Sequence, residues 1–140
     1  MRTITTLLLA TAALAAVVAP QPADAKGRRL GPAVHTEGTC SDGTTTFTLK
    51  SQFDDEPFAQ TVGAEFEVDS GVVGQSWDVT LTDNGAVFFD ALVATTGPEG
   101  AFNVTHPDAG SFAVAHTIVA RAVNQADGTV CTGQVTDAAL

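Results

Sequence analysis

Alternation of apolar and polar residues with a period of two constrains the fold of this chain more than any other sequence feature. In residues 44–51, Phe47 and Leu49 would share one face of a strand, and Thr46, Thr48 and Lys50 the other. Residues 62–69 and 77–82 repeat the pattern. Successive side chains of a strand point to opposite faces, so the pattern predicts half-buried antiparallel strands.

The pair Asn84-Gly85 separates two of the predicted strands. This pair favours a two-residue type I′ turn, which needs positive φ at both central positions. We therefore expect a hairpin in which Leu81 faces Phe88 and Trp77 faces Leu92 on the core side. Trp77 alternates with apolar residues and is predicted to lie in the core.

Three further segments favour strands, at residues 100–105, 111–123 and 129–135. Turn residues recur every 8 to 12 positions, and no long helical period is present. The pattern predicts an all-β chain that folds as a single antiparallel β-sandwich of about seven strands.

The N-terminal residues match a secretory signal peptide. Arg2 precedes an apolar stretch at residues 4–19, Pro20 and Pro22 follow it, and Ala23-Asp24-Ala25 offers small residues for cleavage. A membrane anchor is the alternative, but spanning a bilayer takes about 20 apolar residues. We expect a signal peptide at residues 1–25, a flexible basic linker at 26–35 and a β-sandwich domain at 36–140, in a secreted, extracellular protein.

The two cysteines, Cys40 and Cys131, allow only one intramolecular pairing. Export would place them in an oxidising compartment, so we expect a disulfide between them. We further expect it to tie the first strand to the last.

The charge of the chain restricts its partners. The formal net charge is −10 at pH 7, and beyond residue 29 only Lys50 and Arg121 are basic. Nucleic acids and anionic membranes need a basic footprint. We therefore expect no nucleic-acid partner and, after signal cleavage, no membrane partner; an extracellular protein or a small molecule remains.

One tryptophan between two cysteines resembles the arrangement in immunoglobulin-like sandwiches. The chain is also similar to a group of uncharacterised small secreted proteins of high-GC Gram-positive bacteria. The matching residues lie at Cys40, 66–68, 74–81, 84–85, 120–124 and 131–133. The resemblance implies export and an immunoglobulin-like fold, and it implies no activity.

Three sets of residues have side chains of the kinds that metal binding or catalysis uses. Asp54, Asp55 and Glu56 are oxygen ligands of the kind that calcium prefers, but three adjacent side chains do not converge as a calcium loop requires. Histidines occur only at His35, His106 and His116, without the spacing of a zinc site. Ser111, Asp108 and His116 are close in sequence, but a catalytic triad is defined by geometry. We expect no metal, no cofactor and no catalytic residue.

The remaining candidate is an apolar second face on the predicted hairpin. Val87 and Phe89 would lie on the side opposite the core, with Val119 and Val123 as further members. Exposed apolar patches often mark binding sites. The alternative is that the second sheet or a loop covers these side chains.

The sequence thus favours a secreted, non-enzymatic binding module of unknown ligand. Three alternatives remain open: a carrier of a small apolar ligand, a secreted hydrolase and a structural protein of the cell envelope. A carrier predicts an open cleft lined by Phe and Val, and a hydrolase predicts a histidine and a carboxylate converging on a serine or a water.

Overall fold

The computed structural model describes residues 28–56 and 59–140, and the predicted signal peptide lies outside these residues. The described chain contains eight strands in two layers. They are β1 (Arg28–Thr39), β2 (Thr46–Glu56), β3 (Ala59–Asp69), β4 (Ser76–Asp83), β5 (Ala86–Ala94), β6 (Ala101–Ala109), β7 (His116–Asn124) and β8 (Val130–Asp137).

Two antiparallel sheets form the layers. One sheet, here the β1 sheet, has the strand order β1-β2-β3-β6; the other, the β5 sheet, has the order β5-β4-β7-β8. The prediction of an all-β antiparallel sandwich is confirmed. In the described chain no helix is long and apolar enough to cross a membrane.

The core lies between the inward faces of the two sheets. Trp77, Leu49 and Phe66 are completely buried, as their alternation with polar neighbours predicts. Val79 and Leu81 follow Trp77 on the same inward face of β4, and Ala122 and Ala120 pair with them from β7.

Cys40 directly follows β1 and is bonded to Cys131 in β8. The predicted disulfide is therefore confirmed, and it joins the two sheets where the edge strands β1 and β8 lie together. The bond closes a loop across 91 residues of sequence.

The first strand is a difference from the sequence prediction. Residues 28–35, expected to form a linker, pair with β2 in two registers separated by a bulge between Leu30 and Val34. Leu30 and Val34 pack against the core, so apolar burial and backbone pairing fix this segment in the sheet. With this strand, the sandwich has eight strands rather than the expected number of about seven.

Two predicted strand boundaries are also wrong. The strand expected over residues 111–123 begins only at His116, because residues 110–115 form the connection from the β1 sheet to the β5 sheet. The strand expected at residues 100–105 continues to Ala109 through Pro107. Proline lacks an amide donor and is tolerated here because β6 is an edge strand.

The hairpin between β4 and β5 has the predicted turn but a different register. Asn84 and Gly85 have φ values of 47° and 86°, and Asp83 pairs with Ala86. Thr82 then pairs with Val87, but Leu81 pairs with Phe89, which leaves Phe88 as the extra residue of a β-bulge. The expected Leu81–Phe88 and Trp77–Leu92 pairs are therefore wrong.

Candidate functional site

The bulge places the two predicted patch residues on different faces of β5. Val87 pairs with Thr82 on the outer face and is 60% exposed. Phe89 pairs with the buried Leu81 and packs against the core. Its ring lies 5.4 Å from the ring of His106 in β6, measured between centroids.

The same bulge places a second apolar residue on the face that carries Val87, with Asp90 between the two. Val87 and Leu92 are five positions apart, so a regular strand would point them to opposite sides. With one extra residue between them, both lie on the outer face, where Leu92 is 68% exposed.

Register extends this apolar surface across the sheet. Thr82 lies between Val87 and Val119, and Asp78 lies between Leu92 and Val123. Val123 in turn pairs with Val130 of β8. Side chains directly opposite on neighbouring strands are in contact distance. Five apolar side chains of the outer face therefore form two rows, of which Val119, Val123 and Val130 are half-buried.

A single cation stands between the two rows. Arg121 is exposed and lies in register with Thr80 on one side and Thr132 on the other. Thr80 also pairs with Asp90. Arginine combines apolar contact with planar hydrogen bonding, and it is enriched in protein interfaces. The outer face of the β5 sheet therefore carries an arginine framed by threonines and flanked by aliphatic side chains.

The acidic residues considered for calcium lie in a strand rather than in a loop. Asp54 and Asp55 are consecutive in β2 and so point to opposite faces. The Glu56 side chain lies outside the part of the chain that the structure describes. Over residues 28–56 and 59–140, no three His, Cys, Asp or Glu side chains form a group that could hold a metal ion.

The three histidines lie apart from one another. His35 is exposed on β1, His106 contacts the rings of Phe88 and Phe89, and His116 is buried at the start of β7. Only His116 belongs to a polar cluster.

This cluster joins residues of four strands. A ring nitrogen of His116, Nδ1, is hydrogen bonded to Asp83 Oδ2, and Ser51 Oγ donates to Asp137 Oδ2. His116 pairs with Asp137 in the β7–β8 ladder, which places the two bonds side by side. All four side chains are buried.

Sequence reasoning singled out His116 but missed Ser51, Asp83 and Asp137. Each of the three occupies an inward position of its strand: Asp83 follows Leu81 by two residues, and Asp137 follows Val135 by two. A polar residue that continues a buried alternating series is the signal that could have identified them.

Opposing effects determine the pKa of His116. Burial favours the neutral ring and lowers its pKa, but the hydrogen bond to Asp83, the bond to the Ser111 carbonyl and the charges of Asp83 and Asp108 raise it. The result is a pKa above the ordinary 6.5. Burial raises the pKa of Asp137 above 3.8, against the lowering effects of the Ser51 hydrogen bond and the His116 charge; the charge of Asp83 raises it further.

Ser111, Asp108 and His116 lack the geometry of a serine nucleophile with a histidine base. His116 Nε2 faces the backbone carbonyl of Ser111 at 3.0 Å, and the Ser111 hydroxyl accepts from the Ala113 amide. Asp108 accepts from the Ala109 amide. Ser111, His116 and Asp108 therefore do not form the serine–histidine–carboxylate chain that acyl transfer uses.

Two surface clefts lie on the β1 sheet. The smaller, of about 100 Å³, is lined by charged and polar side chains that include Arg29, Lys50 and Glu65. The other includes Glu67, Asp69 and Glu99. Phe102 also lines the second cleft, but neither cleft is lined mainly by Phe and Val as a carrier of an apolar ligand predicts.

Comparison of the chain with protein-family models, with curated proteins and with solved structures found no match.

Proposed function

We propose that this chain is an exported, non-enzymatic binding module whose contact surface is the outer face of the β5 sheet. The observation that carries the proposal is the joint exposure of Val87 and Leu92, at 60% and 68%, on one face. Clustered exposed apolar side chains are characteristic of interaction surfaces on monomeric proteins.

The chemistry of this face supports a protein partner. The face combines aliphatic side chains and Arg121 with two exposed carboxylates, Asp78 and Asp90, and arginine is enriched in protein interfaces. The matching partner surface would be apolar with a carboxylate or carbonyl opposite Arg121. Complete burial of Val87 and Leu92, which are 60% and 68% exposed, would contribute about 1–2 kcal/mol each.

Paired substitutions test this surface. Val87→Asp with Leu92→Asp places carboxylates on the face without touching the core, while Val72→Asp with Val73→Asp makes the same change in a loop outside it, at side chains 51% and 61% exposed. Each variant and the parent are immobilised and exposed to the extracellular proteins of the native host. A binder retained by the parent and the loop variant but lost by the face variant supports the proposal. Equal retention by all three contradicts it.

The other candidate functions predict other results with the same purified protein. Turnover of an extracellular ester, peptide or glycoside by the purified parent would favour the hydrolase. A small molecule that copurifies would favour the carrier. Retention by cell-wall material alone, independent of the outer face, would favour a structural role.

Export is part of the proposal. It is supported by the apolar N-terminal residues with their cleavage site and by the disulfide, which is typical of oxidising compartments. Intact mass of the protein from the culture medium tests it. We expect a chain that begins at Lys26 and is two hydrogens lighter than the reduced form; a full-length or dithiol mass would contradict export as proposed.

We also infer an immunoglobulin-like arrangement. In immunoglobulin domains strands C, F and G form one sheet, and A, B, E and D form the other. The strand order β4-β7-β8 beside β2-β3-β6 follows the C-F-G and A-B-E orders, with β1 and β5 added at the edges.

A further inference from the structure

The buried polar cluster lies at one end of the sandwich, where residues 110–115 pass from the β1 sheet to the β5 sheet. His116, Asp83, Asp137 and Ser51 are 4%, 7%, 3% and 1% exposed. Polar groups so completely removed from water need hydrogen-bond partners in the protein. None of these residues belongs to the outer face of the β5 sheet.

Both ring nitrogens of His116 face oxygen acceptors. Nδ1 is hydrogen bonded to the Asp83 carboxylate, and Nε2 lies 3.0 Å from the carbonyl oxygen of Ser111. A neutral imidazole has one N–H donor, whereas the imidazolium has two. The surroundings of His116 are therefore built for its protonated form.

The second of these bonds holds the 110–115 loop. The loop is otherwise attached by hydrogen bonds from the amides of Gly110 and Phe112 to Gln60, at 3.1 and 3.0 Å, by one from the Leu140 amide to the carbonyl of Phe112, at 2.8 Å, and by one from Asn84 Nδ2 to the carbonyl of Ala115, at 3.1 Å. His116 is the side chain that connects Ser111 in the middle of this loop to Asp83 of β4.

The loop backbone lies directly on the imidazole. A Cβ atom at Gly110 would stand 2.5 Å from His116 Cε1, so only glycine fits here. Phe53 lies under the same loop, with its ring 5.1 Å from that of Phe112 and 5.6 Å from that of His116. Displacement of the loop would expose the imidazole and the ring of Phe53 to water.

We propose that His116 is a proton-dependent latch for residues 110–115: the imidazolium holds the loop closed, and loss of its proton lets the loop open. Without the proton, one ring nitrogen presents a lone pair to an oxygen acceptor. The Asp83 carboxylate then also loses its buried counter-charge, which carries a large desolvation cost.

Three carboxylates face the imidazole from the packed strands. Asp83 of β4 is bonded to it, Asp108 of β6 adds a favourable charge, and Asp137 of β8 interacts with it electrostatically. From β2 the cluster receives only the Ser51 hydroxyl. Together the hydrogen bonds and charges raise the pKa of His116 above 6.5 despite its burial.

The hydrogen bond from His116 to the Ser111 carbonyl sets the direction of the pH response. The imidazolium donates to both Asp83 and this carbonyl in the closed loop, and on opening the ring keeps Asp83 but loses the Ser111 acceptor. Closure is therefore favoured while His116 is protonated, and it weakens as pH rises through the raised pKa of His116. Linkage of one proton gives up to a tenfold increase in the opening constant per pH unit while His116 titrates, and none above this range.

Amide exchange across pH 5.5 to 9 tests the latch, with protection factors corrected for the intrinsic effect of pH. In the parent we expect the amides of Phe112, Val114 and Leu140 to lose protection across the window in which His116 titrates by NMR. Amides of Val79 and Leu81 in the core should keep theirs.

Two variants separate the latch from a general loss of stability. His116→Gln should give low protection in the loop that no longer depends on pH, while His35→Gln, the same change at an exposed histidine, should behave as the parent. Should His116→Gln fail to fold, the parent titration decides alone. Constant loop protection while His116 titrates, or an imidazole that is neutral at pH 6, would overturn the proposal.

Discussion

Single residues depart from the alternating pattern where polar side chains face inward. Asp83 and Asp137 continue the buried series of their strands, and one carboxylate oxygen of each is hydrogen bonded to a side chain of another strand. Alternation in the sequence fixes which face a side chain occupies, and so the burial of Trp77 was predictable. Alternation does not reveal which side chains of other strands contact a given residue.

Replacement of Asp137 by Asn should stabilise the protein at neutral pH. The pKa of Asp137 is raised above 3.8 chiefly by burial, so the folded state binds this proton more tightly than the unfolded chain. The stability that proton binding contributes is present below pH 3.8 and lost as pH rises through the folded pKa. Asn keeps an acceptor for the Ser51 hydroxyl and carries no charge.

Urea denaturation at pH 7 and pH 4 measures this effect. Asp137→Asn should have a higher free energy of unfolding than the parent at pH 7, and the gain should shrink at pH 4. Asp90→Asn removes an exposed carboxylate and should change little. If Asp137→Asn lowers the free energy of unfolding at pH 7 and Asp90→Asn does not, the charge of the Asp137 carboxylate is needed for stability.

Glycine at position 133 is required by close packing. A Cβ there would lie 2.7 Å from Cε2 of Phe47, whose ring fills the space between β1 and β8. We expect Gly133→Ala to cost about 1–3 kcal/mol, as overpacking of a core does. Gly63→Ala is the control, because its Cβ would meet its nearest neighbour at 3.6 Å, an ordinary contact. Equal free energies of unfolding for the two variants in urea would show that the Phe47 ring moves freely.

At the scale of elements, the bulge in β5 decides what the surface presents. The turn at Asn84-Gly85 was predictable because it rests on local backbone preference. The extra residue at Phe88 was not, because it depends on packing against His106 of the other sheet, 6.0 Å away between ring centroids. For the same reason Phe89 could not be assigned to the inner face, nor Leu92 to the outer one.

Deletion of Phe88 should convert β5 into a regular strand. Val87 would still pair with Thr82 and Phe89 with Leu81, so the fold should persist. Bulges protect edge strands from pairing with another chain, and β5 is an edge strand. We expect the variant without Phe88 to self-associate at concentrations where the parent is monomeric, as measured by sedimentation velocity.

The control for this deletion is Phe88→Ala, which removes the ring but retains the bulge. It should stay as monomeric as the parent and lose some stability. If both variants associate alike, the lost ring rather than the regular edge would be responsible.

For the whole molecule, the covalent bond and the layered core act together. The two sheets were predictable from alternation and turn spacing, and the disulfide from the cysteine count. The strand β1 was not, since its Gly-Pro bulge and basic residues are typical of a linker and only pairing with β2 makes it a strand. Alternation could have placed the polar residues of the cluster on inward faces, but their meeting was not predictable, because four strands distant in sequence build the cluster.

Removal of the disulfide should lower the free energy of unfolding substantially. The bond spans 91 residues, and the chain-entropy model gives about 4–5 kcal/mol for a loop of this length. Cys40→Ala with Cys131→Ala, compared with the parent by urea denaturation, should show a loss of this order. A loss below about 1 kcal/mol would mean that the unfolded chain is compact without the bond.

The central claim is that the outer face of the β5 sheet contacts a partner, and covalent footprinting tests it most directly. The protein is labelled with a carbene reagent in the extracellular fluid of its host and again after purification. We predict protection in the fluid at Val87, Leu92, Val119 and Val123, with Val72 and Val73 labelled equally in both samples. Equal labelling of the outer face in the two samples, or protection confined to another surface, would contradict the claim.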